Sequence, residues 1–237
     1  MDADELAAAS KYFKCVSLLT DIDPGDYVTY RYSLYPFPLD QEKEILNIGA
    51  VPINTYGQHR YVADLQNYLY DLNELTPRTW DRIQDLPDTG PFVLKGETNS
   101  RKSSWNRNMF AQTKKDAIEI FGHLCDDALI GQQKIYIRQY VPLVTYLIGI
   151  GGIPITEEYR FFAAFGEILC GSYYWQNHVD DLPSVPDVNS VPKEFLAEVL
   201  RRIGNNINFV VIDVARTVAG EWIVIEFKKQ TGIDISR

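Results

Sequence analysis

The chain has 237 residues, 46% apolar and 13% aromatic, with 23 Lys and Arg against 32 Asp and Glu for a net charge of −9. Such a composition excludes a disordered or low-complexity chain, and the length suits one or two domains with a substantial core. The acidic balance argues against a protein that coats duplex nucleic acid or an anionic membrane, because both reward a cationic surface.

The first predicted element is a strand over residues 27–32, stopped by Tyr35-Pro36-Phe37-Pro38. Leu65, Tyr68, Leu69 and Leu72 recur at helical spacing, and Thr76-Pro77 offers an N-cap with proline in the first turn. Residues 61–86 therefore predict two helical pieces. Residues 87–91 are turn chemistry and mark a boundary. A short strand over 92–95 leads into a polar stretch through Asn108. Thr113 then caps a helix with Asp116 in its first turn and an apolar stripe of Ala117, Ile118, Phe121, Leu124, Cys125 and Ala128. Strands over 134–141 and 159–165 flank a Gly/Pro-rich loop, and 167–175 returns from a turn at Phe165-Gly166. A second helix over 192–203, preceded by Ser190 or Val191, stops at Gly204. Strands over 208–215 and 221–227 form a last hairpin turning near Gly220. Strands and helices mix without strict βαβ alternation, so the fold class is α+β.

Cys15, Cys125 and Cys170 form no CxxC pair. Neither a disulfide framework nor a zinc knuckle is expected, and a reducing cytoplasm is. The acidic start is unlike a basic signal peptide, and the longest uncharged run, residues 139–156, falls short of the ~20 apolar residues of a spanning helix. A cytoplasmic protein with no membrane partner is the expectation.

Four clusters carry candidate chemistry. Lys95 ends an apolar strand, and the loop after it supplies hydroxyls, amides and the cations Arg101, Lys102 and Arg107. These groups suit polyphosphate oxygens, although a solvated loop has the same composition. In residues 135–142, Gln139, Tyr140 and Val141 form a polar hinge that can read an adenine edge, and a plain core strand fits equally. Arg160 sits among Glu158 and aromatic neighbours on a strand that should be buried, so it needs an anion. A salt bridge to Glu158 or Asp213 and a bound phosphate or carboxylate both satisfy that need. Asp213 and Glu226 each lie inside an apolar run on the last hairpin. Two such acids repel unless a cation lies between them, and magnesium takes hard oxygen ligands of this kind. Structural pairing with Arg216 or Lys228 is the alternative.

Taken in order, the strand lysine, polar loop, helix, hinge, Arg-bearing strand and final Asp…Glu hairpin resemble the ATP-grasp superfamily over residues 61–232. Residues 136–141, 158–162 and 171–175 look most like the clade of small bacterial and phage members named for two arginines and a lysine. The resemblance implies two α+β subdomains holding ATP between them. With it go a short N-terminal lobe (1–88) and an ATP-grasp domain (89–237), divided into a lid part (about 89–138) and a C-terminal part (about 139–237). It further implies an ADP-forming carboxylate–amine ligase using ATP and Mg²⁺, acting on a small molecule or a peptide. Lys95, with Arg101 and Lys102 of the lid, matches the phosphate contacts. Gln139, Tyr140 and Val141 match the adenine hinge, Glu158 a ribose ligand, and Asp213 and Glu226 the metal-binding acids. Arg160, Arg138 and Lys228 are the candidates for catalysis.

Two departures stand out. The superfamily usually has Asn two residues after its metal-binding Glu, where this chain has Lys228 followed by Lys229, and the lid lacks glycines. Lys228 either stands in for the charge of a second magnesium or marks an inactive ATP-binding module. A rival reading is nucleotidyl transfer through Lys95, for which Lys95-Gly96-Glu97-Thr98 supplies an acid but not the glycine of Lys-x-Asp-Gly.

Overall fold

Alternation of apolar and polar side chains builds two antiparallel sheets, and their apolar faces decide where each helix lies. The computed structural model describes residues 6–7, 9–30, 38–97 and 99–228. A small N-terminal lobe pairs β1 (Tyr27–Val28) in parallel with β2 (Val51–Pro52) across α1 (Pro38–Ile48), around Ile22, Ile45 and Ala50. Of the predicted 27–32 strand, Tyr27 and Val28 are strand, Thr29 and Tyr30 are not, and 31–32 lie outside the described residues. The predicted stop at 35–37, together with Thr98 and Lys229, lies outside the described residues.

Helices α2 (Tyr56–Ala63) and α3 (Leu65–Leu72) follow, α2 opened by a Thr55–Gln58 capping box and α3 capped by Asp64. Buried Asn54 ties this region to the far end of the chain. Its amide donates to the Phe209 carbonyl at 2.7 Å, and its carbonyl oxygen accepts from the Asn208 and Phe209 N–H groups.

Thr76-Pro77 does not open a helix. The Thr76 hydroxyl donates to the Val224 carbonyl and accepts from Arg138 at 2.7 Å. Long-range partners therefore take the oxygen that a cap would use, and β3 (Thr79–Trp80) follows instead. The first sheet runs β3, β6 (Ile135–Gln139), β4 (Phe92–Gly96), β5 (Phe110–Ala111). One face buries Phe92, Leu94, Ile135 and Ile137 against α4 (Lys114–Cys125). The Thr113–Asp116 capping box holds the start of α4 as expected. Its buried stripe is Ala117, Ile120 and Leu124 with Phe121 beside it; Ile118 is 53% exposed and Cys125 also faces out. The sheet selects the helical repeat at 117, 120, 121 and 124.

The Gly/Pro-rich loop contains a hairpin of its own, β7 (Thr145–Ile148) and β8 (Pro154–Thr156). The second sheet runs β10 (Glu167–Tyr173), β9 (Glu158–Ala164), β11 (Phe209–Arg216), β12 (Trp222–Lys228). Its apolar face, with Tyr159, Phe161, Ile212, Val214 and Phe227, packs with α3 and α5 (Lys193–Ile203) in the largest core. Pro192, not Ser190 or Val191, is the N-cap of α5. Fully buried Tyr136 of β6 joins this core, so the first sheet leans on the second through its other face. Its hydroxyl donates to Asp64, which pairs the buried polar group. Among the described residues no helix is long and apolar enough to cross a membrane.

Candidate functional site

The cleft lies between the two sheets, with about 930 Å³ of open space that includes its solvent-filled mouth. Val93, Met109, Val141, Leu143, Ile153, Ile223 and Ile225 give it apolar walls, and Lys95, Lys102, Arg138, Glu158 and Glu226 supply charge. An apolar slot with a few convergent polar groups is the usual form of a small-molecule site.

Strand register explains how the charges converge. Across the second sheet, Ser172 is opposite Arg160, Arg160 opposite Asp213, and Asp213 opposite Glu226. One cross-strand row thus carries the polar groups while the neighbouring positions face the core. A bulge between Asp213 and Val214 shifts the register of β12, and both Ile225 and Glu226 line the cleft.

Asp213 is wholly buried, and the Arg160 guanidinium grips it twice, at 2.8 and 2.9 Å. Of the partners open to Arg160 in sequence, the structure selects Asp213. Glu158 instead accepts from the Thr156 hydroxyl at 3.1 Å, and Arg216 lies 3.8 Å from Glu157. Glu226 receives Lys95 from the opposite sheet and Lys228 from its own strand, the latter at 3.7 Å.

These contacts set the protonation states. Burial pushes the Glu226 carboxyl up, but Lys95, Lys228 and Lys102 outweigh it and hold the group well below the carboxylate range. Burial lowers Lys95 despite its pairing with Glu226, and it lowers Arg138. Lys228 is raised: burial opposes its charge, but Glu226, Tyr174 and Asp213 favour it more. Burial lifts Glu158 to about 7.

Arg138 is only 6% exposed, yet its guanidinium donates to Thr79 at 3.3 Å, to Thr76 and to the Ile225 carbonyl, all uncharged acceptors. A buried guanidinium without a hydrogen-bonded carboxylate is costly to keep. The hinge is pinned by the Gln139 and Tyr140 N–H groups, which donate to the Arg78 and Pro91 carbonyls at 2.8 and 3.0 Å. All three hinge residues line the cleft.

Lys95, Lys102, Arg138, Gln139, Tyr140, Val141, Glu158 and Glu226 therefore share one cavity. Arg160, Asp213 and Lys228 adjoin it through Glu226 and the Tyr174 ring. Arg101 does not join them: Asp127 binds its guanidinium at 2.5 and 2.7 Å on the α4 side. Arg107, named with it in the loop, is exposed and does not line the cavity.

Sequence reasoning missed Trp105, Thr156 and Trp175, which line the cavity, and Tyr174, against which three cations pack. The aromatic pair Tyr174-Trp175 beside the Arg160 strand was the available signal. Among the described residues no three metal-capable side chains cluster. Of the two expected metal-binding acids, Glu226 lines the cavity, whereas Asp213 is wholly buried, does not line it and gives both oxygens to Arg160. A single cavity-lining carboxylate suits one magnesium ion that completes its shell with phosphate and water, not a closed protein cage.

A family model matches residues 84–229; it describes an ATP-grasp domain, family 3 of the clade named for two arginines and a lysine. The RimK domain ATP-grasp protein from Sphaerobacter thermophilus DSM 20745 superposes with a TM-score of 0.54 at 14% identity, covering 86% of this chain and 72% of that one. D-cycloserine synthetase DcsG gives 0.53 at 14% identity, over 92% and 79%. The ATP-grasp ligase PsnB, complexed with a minimal precursor variant, Mg and ADP, gives 0.52 at 9% identity, over 81% of this chain. The chain spans only 57% of PsnB. No curated protein sequence matches. At these identities the likeness concerns the fold: α+β, of the ATP-grasp type.

Proposed function

We propose that this chain, which belongs to family 3 of the two-arginine, one-lysine clade of ATP-grasp domains, is an ADP-forming carboxylate–amine ligase. The observation that carries the reading is the surplus of positive charge in the cleft. Lys95, Lys102 and Arg138 line it with Glu226 and a readily protonated Glu158, and among the described residues Arg138 donates only to uncharged oxygens. A polyphosphate supplies the missing anion, and the apolar walls with the 139–141 hinge suit adenine.

In this reading Lys95 and Arg138 hold the α- and β-phosphates, Lys102 covers the triphosphate from the lid, and Glu158 takes the ribose. Arg160 faces the transferring phosphoryl group with the Nη1 that Asp213 does not engage, and Lys228 adds charge beside Glu226. Glu226 would hold one magnesium ion, which when bound would neutralise phosphate oxygens as charge develops, while Asp213 fixes Arg160 beside it. The division at 88 and near 138–139 belongs to the same proposal, with the nucleotide between the two sheets.

A substrate carboxylate oxygen attacks the γ-phosphorus, and the bond to the β–γ bridging oxygen breaks with release of ADP. An amine nitrogen then attacks the acyl carbon of the acyl-phosphate, forming the C–N bond. Inorganic phosphate leaves and the nitrogen loses a proton. The protein's work is positioning and charge stabilisation. PsnB with its precursor and DcsG with its small product name two kinds of substrate that the fold serves elsewhere, so the acid is either a peptide side chain or end, or a small molecule.

Labelled ATP tests the reading. With acid and amine panels, γ-label should pass to inorganic phosphate and α-label should stay in ADP. A second reading has one observation in its favour: burial lowers Lys95, as a nucleophilic amine requires. Covalent α-label on the protein would select nucleotidyl transfer through Lys95 instead. ATP binding with no ADP from any panel would mark an inactive module.

A further inference from the structure

Tyr174 follows the last residue of β10, and its N–H donates to the Glu158 carbonyl at 2.8 Å, extending the β9–β10 pairing by one residue. Its ring meets cations from both halves of the cleft. The Arg160 guanidinium lies 4.7 Å from the ring centroid and the Lys228 ammonium 5.7 Å, both from the second sheet. The Lys102 ammonium, from the loop after β4, lies 4.4 Å from the same centroid and donates to the Tyr174 hydroxyl. Trp175 adds a second ring 5.0 Å from Lys102.

Three like charges do not gather by themselves. Asp213 holds Arg160 and Glu226 faces Lys228, whereas Lys102 has the Tyr174 ring and hydroxyl, and a partly buried ring attracts a cation more strongly than an exposed one. The hydroxyl gives Lys102 a fixed direction as well as a face. The next residue of the loop is held too. A Cβ at Gly151 would sit 2.2 Å from the Ser103 carbonyl oxygen, so only glycine allows the 145–156 hairpin to approach there. The loop is thus held at adjacent residues, and Lys102 is the one aimed into the cleft.

We infer that Tyr174 is a positioning residue: its ring and hydroxyl seat Lys102 of the lid beside Arg160 and Lys228, so that a polyphosphate meets cations from both halves of the cleft already in place. The inference rests on the ATP reading above and assigns the seating of the lid to one side chain. Tyr174 acts through Lys102 and need not touch the nucleotide.

Calorimetric titration of ATP, ADP and AMP into the full chain tests it. Tyr174→Leu should weaken ATP and ADP by about tenfold, the scale of a partly desolvated cation–π pair, while AMP changes by less than about twofold. Tyr174→Phe, which keeps the face, should stay within about threefold of wild type for ATP. In a Lys102→Ala background, Tyr174→Leu should add less than about twofold, because both changes remove one interaction. Equal losses for AMP and ATP, or fully additive losses in the double variant, would overturn the inference. Should Tyr174→Leu not fold, the cycle of Tyr174→Phe with Lys102→Met reads the hydroxyl contact, and additivity there overturns it equally. Wild-type protein that binds no ATP would remove the underlying reading; ATP bound with additive losses would remove this inference alone.

Discussion

The two sheets present unlike faces to the cleft. The second sheet carries acids and bases in one row, and Arg160 and Asp213 close upon each other there with two hydrogen bonds. The first sheet contributes Lys95 and Arg138 to the cavity wall and, among the described residues, no acid. The balancing groups therefore lie on the other sheet: Glu226 for Lys95, and for Arg138 the Ile225 carbonyl, beside the Thr76 and Thr79 hydroxyls on its own side. A closed pair satisfies itself and mainly fixes geometry. Cations whose partner belongs to the other sheet, or is uncharged, can exchange it for a ligand that enters between the sheets. The same residue types therefore serve different ends, according to whether their counter-charge sits on the same sheet.

The largest expected effect is on turnover. Lys95→Ala and Glu226→Ala should each lower ADP formation by about a thousandfold, the upper range for removing one pre-placed charge from a transition state. Turnover near wild type in both would break the assignment of the cross-cleft pair. Stability should separate the two sheets next. Arg160→Ala leaves Asp213 buried and unpartnered, and should cost about 3–5 kcal/mol in urea unfolding. Arg138→Met removes a cation with no hydrogen-bonded carboxylate, and loss of its bonds to Thr76, Thr79 and Ile225 should cost about 1–3 kcal/mol while weakening ATP binding. Equal costs would erase the contrast.

A third test uses Glu158. Its folded pKa is raised to about 7 from an ordinary 4.5, so the folded state binds its proton more tightly than the unfolded chain. Its contribution to stability is fully present below pH 4.5 and is lost as pH rises toward 7. Glu158→Gln should remove that fall, a difference on the order of 3 kcal/mol between pH 4.5 and pH 7.5 relative to wild type. Parallel stability–pH curves would place Glu158 in a wetter setting than the cleft. The last test concerns the lid contact. Gly151 has φ +70 and no room for a Cβ, whereas Gly220 has φ +89 and open space around it. Both alanine variants carry backbone strain of about 1–3 kcal/mol, and Gly151→Ala should lose more because of the added clash. Equal losses would show that the hairpin does not press on the lid.

The sequence was most informative where burial alone decides. Asp213 and Glu226 stood out because each interrupts an apolar run, and the hairpin that pairs them was legible from Gly220 and the flanking strands. Lys95 was legible as the polar position of a half-buried strand. The family resemblance was carried by these residues and by the hinge. What long-range partners decide could not be read. Thr76 looks like a cap until Val224 and Arg138 claim its hydroxyl, and Arg101 looks like a lid cation until Asp127, 26 residues away, takes it. Tyr174 owes its place to the β9–β10 register, which shifts between Ile168 and Cys170. No local pattern announces such a shift.

The central claim is that the cleft is built for a polyphosphate on an adenosine, and titration of ATP, ADP and AMP into the wild-type chain and its Lys95→Ala and Arg138→Met variants tests it most directly. The account predicts that ATP and ADP bind at least about tenfold more tightly than AMP, roughly one charge-assisted contact's worth, and that both variants erase the difference. Equal affinity for all three nucleotides, or ATP binding unchanged in both variants, would contradict it.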